Sequence, residues 1–212
     1  KTFMKAAILG PHPLNGTIST TNYFNFYASR LPASLPGWPV EVGCPGNMER
    51  KDSGNVSRAI IRYENFISWP IRLRSIRADL VHISDQGLAW YVPFLKRTRR
   101  LTTVHDLIAY MTMKGLLQFG ESTARRRMLV SECVRHIKTS DHIVSSSECT
   151  AGHLMSLLDV PASKITVVPC MLESDLSPLS PEERRSARTR WFGDAEYVVI
   201  HVGKATSYKN RI

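Results

Sequence analysis

The sequence lacks most of the signatures that identify a chemistry at first sight. No apolar run reaches the ~20 residues that a membrane-crossing helix needs. There is no Gly-x-Ser-x-Gly elbow, no His-Glu-x-x-His pair and no Asp-x-Asp pair. These gaps argue against the common esterase nucleophile, the zinc-protease helix and a carboxylate pair that grips a metal-diphosphate. Gly203-Lys204 is followed by Ala205, and Val198 stands where a phosphate-binding Walker loop needs its first glycine. Cys44, Cys133, Cys149 and Cys170 form no Cys-x-x-Cys pair and follow no secretory signal. Reduced thiols in a cytoplasmic protein are therefore expected.

Acidic residues are also scarce. The 212 residues include 18 Asp and Glu against 28 Lys and Arg, a net charge of +10. The excess lies mainly between Arg58 and Lys138, where fifteen basic residues face six acids. Such a surface attracts nucleic acid, anionic lipid heads or phosphorylated ligands, although a solvated basic face accounts for it as well. The rest is ordinary: 43% hydrophobic, 22% charged, with 12 Gly and 12 Pro. That composition excludes a disordered chain, a collagen repeat and a coiled coil. A chain this long buries enough surface to fold without staples.

Short apolar runs alternate with longer helical stretches. Strands are expected at 6–9, 39–42, 79–83, 101–104, 142–144, 165–168 and 197–202. Helices are expected at about 17–31, 58–74 (bent or ended by Pro70), 88–95, 121–138, 148–158 and 181–191. Ser147 is placed to cap the helix that follows it, and Pro181 to open another. Residues 107–120 read as an apolar loop. The strand runs lack polar alternation, which suits strands buried on both faces of a parallel sheet. The fold class is α/β, a doubly wound, Rossmann-like parallel sheet.

Ligands of such sheets bind at the carboxyl ends of the strands. The residues expected to share that rim are 10–16, 84–87, His105-Asp106, 145–148 and 203 onward. His105 could shuttle a proton or donate to a hydroxyl, with Asp106 orienting it; a histidine satisfied by backbone is the plainer reading. The turn from Gly10 to Gly16 could admit a phosphate at a helix N-terminus, or be a plain turn. Lys204 and Lys209 could hold a diphosphate, or belong to a solvated loop.

In order, these pieces resemble the retaining GT-B glycosyltransferases of family 4. The segments that carry the likeness are Arg77-Ala-Asp-Leu-Val-His-Ile-Ser84, Leu101-Thr-Thr-Val-His-Asp-Leu107, Ser140-Asp-His-Ile-Val-Ser-Ser-Ser-Glu148, Lys164-Ile-Thr-Val-Val-Pro169 and Ile200-His-Val-Gly203-Lys204 with Tyr208-Lys209-Asn210. The resemblance implies an N-terminal, acceptor-side lobe of a GT-B fold over 1–194 and the start of a nucleotide-sugar-binding lobe over 195–212. It implies that His105 and Asp106 are catalytic and that Asn15, Gly16, Lys204 and Lys209 bind the donor diphosphate. Asn15 and Cys170 depart from the family pattern, which usually has Gly and Asn there. The implied partners are a nucleotide-sugar donor, GDP-mannose or a UDP-sugar, and a carbohydrate or lipid-linked acceptor. No metal is expected. Peripheral contact with the inner membrane face through 96–100 and 125–127 follows from relatives that act on lipid-linked acceptors. The last strand would lack its own sheet, so self-association through it is a further expectation.

Two other readings compete. One is a non-catalytic module that binds nucleic acid or an anionic polymer through the basic face. Against it, no aromatic and basic residues interleave in a nucleic-acid motif. The other is a different sugar-nucleotide enzyme, such as an epimerase.

Overall fold

Four or so consecutive β-branched or small apolar residues, bounded by turns, give strands of one parallel sheet. The computed structural model describes residues 4–14, 18–46, 56–119, 123–170 and 177–201. The chain divides into two compact units, Lys1–Met171 and Leu172–Ile212.

The first unit holds β1 (Ala6–Leu9), β2 (Val40–Gly43), β3 (Leu80–Ile83), β4 (Arg99–Val104), β5 (His142–Ser145) and β6 (Ile165–Val167). Their spatial order is β2-β1-β3-β4-β5-β6, all parallel. The chain winds from β1 to one side and then, from β3, to the other. This order bears out the doubly wound expectation and puts the reversal between β1 and β3.

Both faces of the sheet are covered. On one, Ala7 and Leu9 with Val81 and Ile83 meet Trp69, Leu73, Tyr91 and Val92. A second cluster joins Val104 and Ile143 to Cys133, Ile137, Leu154 and Leu158. Ile8 and His82, paired in register, carry the opposite parity of β1 and β3 and are buried too. Period-2 alternation sends successive side chains to opposite faces, so burial of both parities needs cover on both sides.

The helices follow local chemistry. α1 (Ile18–Ser34) runs one turn past the expected end and takes in Pro32, whose missing N–H costs only one bond near the C-terminus. α5 (Ala124–Thr139) starts at the cap Thr123, which accepts from Arg126 N at 3.3 Å. α6 (Glu148–Leu158) starts at Ser147, which accepts from Thr150 N at 3.1 Å, the cap expected from sequence.

Three expectations for the first unit are corrected. The stretch before Arg74 is α2 (Val56–Tyr63), a π turn (Glu64–Ser68) and α3 (Trp69–Leu73), so the irregularity precedes Pro70. A proline tolerates the start of a helical segment, where no N–H is required of it. Gln86–Phe94 is a 3₁₀ helix, not α, opened by Asp85 accepting from Gly87 N and containing Pro93. The expected loop after residue 107 contains α4 (Ile108–Met113), because the Asp106 carboxylate takes the Ile108 N–H at 3.0 Å and starts the turn.

In the second unit, α7 (Pro181–Phe192) has a reciprocal capping box: Ser180 Oγ accepts from Glu183 N, and Glu183 accepts from Ser180 N. The run expected as a seventh strand is not one over residues 197–201. Tyr197, Val199 and Ile200 are exposed there. A strand exists only by pairing, and residues 197–201 adopt no strand conformation. Residues 202–212 lie outside the described residues.

Candidate functional site

The carboxyl ends of the central strands are tied to one another by backbone bonds. Ser84 N donates to Leu9 O at 3.0 Å, and Ser146 N donates to Val104 O at 3.1 Å. These bonds bring the residues after β1, β3, β4 and β5 to one rim, as the sequence suggested for 84–87, 105–106 and 145–148.

His105 stands at the centre of that rim. Its backbone N–H donates to Gln86 Oε1 at 2.9 Å. Its carbonyl accepts from Ser146 Oγ at 2.7 Å and from Thr150 Oγ1 at 3.1 Å. The ring nitrogen Nε2 is 3.1 Å from Ser84 O. A carbonyl only accepts, so Nε2 carries a hydrogen, and in the neutral tautomer that fits this bond Nδ1 is the accepting nitrogen. The nearest polar neighbour recorded for Nδ1 is Cys170 Sγ at 3.9 Å. The Tyr23 ring meets the imidazole edge-on, with centroids 4.6 Å apart. The plainer reading thus holds for one ring nitrogen and leaves the other for chemistry. Orientation comes from Ser84, not from Asp106, whose recorded carboxylate bond goes to Ile108 N.

A polar chain lies beneath the histidine. His82 Nε2 is 2.7 Å from Thr103 Oγ1, and Tyr23 OH is 3.3 Å from the same oxygen. Burial, helped by the neighbouring His105, pushes His82 down to about 4. Burial also raises the Tyr23 phenol well above its ordinary range. Asp85, beside the rim, is raised by desolvation, against the pull of the Gly87 N–H. The Cys170 thiol is raised by desolvation too, so it is a neutral neighbour of the imidazole, not a thiolate. Ser84 Oγ is fully buried and has no hydrogen-bond partner among the described residues.

His12 is a second rim feature that sequence reasoning passed over. It is buried, its Nε2 lies 2.9 Å from Glu64 Oε2, and its Nδ1 accepts from Leu14 N at 3.1 Å. Gly46, at φ +80, packs where a Cβ would fall 2.8 Å from that Nε2 and 2.9 Å from Glu64 Oε2. The histidine in the Gly10-Pro11-His12-Pro13 loop was a legible signal. Its partner, 52 residues later in the chain, was not.

Of the expected site residues, His105 and Asp106 lie on this rim. Asn15, Gly16, Lys204 and Lys209 fall outside the described residues. Among the described residues no cluster of three or more His, Cys, Asp or Glu is arranged to hold a metal. Nor is any helix among them long and apolar enough to cross a membrane.

A family model described as Glycosyltransferase Family 4 matches residues 37–176. No curated protein sequence matches the chain. Among solved structures, one described as "lipopolysaccharide outer core galactosyltransferase WaaB apo form" is similar, at 14% sequence identity and a TM-score of 0.45. The match covers 78% of this chain and 45% of that one, so the chain spans less than half its length.

Proposed function

The chain belongs to glycosyltransferase family 4, and from that premise we propose that it supplies the acceptor-side lobe of a two-lobe, GT-B, retaining sugar transferase. The substrates in this reading are a nucleotide-sugar donor, GDP-mannose ahead of UDP-sugars, and a carbohydrate or lipid-linked acceptor hydroxyl in polysaccharide or glycolipid synthesis. The protein would act in the cytoplasm, with peripheral contact at the membrane face. The observation that carries the reading is His105, held at the rim by Ser84, Gln86, Ser146 and Thr150 with Nδ1 left as the accepting nitrogen.

His105 sits beside the transferred sugar in this proposal and handles a proton or a hydroxyl there. Asp106 shapes the turn that presents it. Lys204 and Lys209 stabilise the leaving diphosphate as charge develops, and the turn at Asn15 and Gly16 approaches it. With no Asp-x-Asp pair in the sequence to grip a metal-diphosphate, the lysines carry that charge. Most of the donor site would come from a second lobe, so the 212-residue chain alone is expected to be inactive.

The experiment has three parts. Intact mass and peptide mapping of the protein from its native source should find a longer product with a second lobe. The 212-residue chain should turn over no nucleotide sugar, and turnover would overturn the expected inactivity. In the native-source enzyme, His105→Ala should lower kcat by about 100-fold with folding intact. An unchanged rate would remove His105 from the chemistry.

A further inference from the structure

Four guanidiniums converge on a cavity that the proposed transfer does not use. We infer that this cavity is a binding site for a phosphate group carried on a larger molecule. The inference stands whether or not the protein transfers sugars.

The cavity holds about 420 Å³ and lies between α2 with its π turn and the first turn of α5. Arg58 and Arg62 line it from α2, and Arg125 and Arg126 from α5, with Phe66 and Leu129 as apolar lining. Folding alone does not favour this placement. Arg58 and Arg62 are four residues apart on one helix face, where like charges repel. Arg125 and Arg126 sit in the first turn of α5, which contains no acid. Cations there oppose the helix dipole.

None of the four side chains has a carboxylate partner among the described residues. Three other arginines do have one: Arg100 with Asp141, Arg135 with Glu132 and Arg185 with Glu182. An external anion would relieve repulsion that no acid among the described residues is paired to relieve.

The site is also partly ordered in advance. The Arg125 guanidinium lies 5.4 Å from the centroid of the Phe66 ring, which stacks on Trp90 at 5.0 Å. The π turn that contains Phe66 is held from behind, where Asn65 Nδ2 donates to Ile61 O at 2.8 Å and Tyr91 OH donates to Asn65 O at 3.1 Å. A guanidinium fixed on an aromatic face presents its planar fork to phosphate oxygens with less ordering still to come. The volume admits more than a phosphate. Tyr63, Ile67 and Ile71, each more than half exposed, follow on the same helical stretch. An apolar carrier would therefore find contacts beside the charged mouth. A lipid headgroup and a soluble phosphomonoester share the chemistry recognised here.

Phenylglyoxal modification of the full chain, mapped by peptide mass, tests the site arginine by arginine. The probes are inorganic phosphate against chloride at matched ionic strength, and phosphatidylcholine vesicles containing phosphatidic acid or, at equal charge, phosphatidylserine. Phosphate should slow modification of Arg58, Arg62, Arg125 and Arg126 by roughly tenfold and leave the exposed Arg97 and Arg99 unchanged. Slowing by phosphatidic acid vesicles alone would assign the phosphate to a lipid and also support the site. In the double variant Arg62→Gln, Arg125→Gln, checked for folding by circular dichroism, protection of Arg58 and Arg126 should vanish. The inference is overturned if no probe protects the four, if Arg97 and Arg99 are protected equally, if phosphatidylserine protects as well as phosphatidic acid, or if protection survives in the double variant.

Discussion

His82 sits in the middle of a parallel sheet, a place where a titratable ring is costly to charge. It stays because its Nε2 meets Thr103 Oγ1, which Tyr23 OH bonds in turn, and a hydrogen-bonded buried polar chain is far cheaper than an orphan. The chain also has a consequence for pH. Burial holds the ring at about 4 in the folded protein, against an ordinary histidine value of 6.5. The unfolded state therefore binds the extra proton between those values, and stability falls as pH drops through that window. The loss by the bottom of the window is on the order of 3 kcal/mol. Urea unfolding across that range should show this slope in the native protein and a flatter one in His82→Gln. Parallel slopes would mean that another group controls the acid limb. At the same scale, the sequence marked His105 correctly as a rim residue. It could not say that Ser84, rather than the adjacent Asp106, fixes its ring, because that partner comes from a different strand.

At the scale of elements, the close joints matter most. Gly10 ends the first strand against Phe24 of α1, and a Cβ there would run into the phenyl ring. Phe24 is itself buried and has little room to retreat. Gly10→Ala should therefore cost about 1–3 kcal/mol through overpacking. A thermal or urea midpoint indistinguishable from the native value would show that α1 shifts freely. The signals for strands and for the α6 cap were local and strong, so their positions were legible to within a residue or two. The π turn was not legible. Its register depends on Glu64 reaching His12 and Asn65 reaching Tyr91, contacts that span long stretches of chain. The 3₁₀ form and earlier start of the helix expected at 88–95, and the existence of α4, were not legible for a nearer reason. Each opens on an aspartate that accepts a backbone N–H two residues on, a turn signal whose continuation into helix depends on packing.

At the scale of the molecule, the sheet order predicts how stability is distributed. β1 and β3 have hydrogen-bonded neighbours on both sides, while β2 and β6 have one each among the described strands. β1 is wholly buried, and β2 is half-buried to exposed. Amide exchange followed by mass spectrometry should find peptides over β1 and β3 slowest and those over β2 and β6 distinctly faster. Uniform exchange across the sheet would contradict this ladder of stability. The net positive charge belongs to this scale as well. Composition announced it, but only the tertiary structure showed that four arginines from two separate helical stretches share one cavity.

What the sequence determined by itself was the class of fold, the places of its six described strands and the rim that carries His105. These rest on period, β-branching and turn chemistry, which act between near neighbours. The tertiary structure alone decided which groups meet on that rim, where the helical stretch after β2 widens and which charges share one cavity. Those outcomes depend on contacts between residues tens of positions apart, and a linear pattern does not encode such distances.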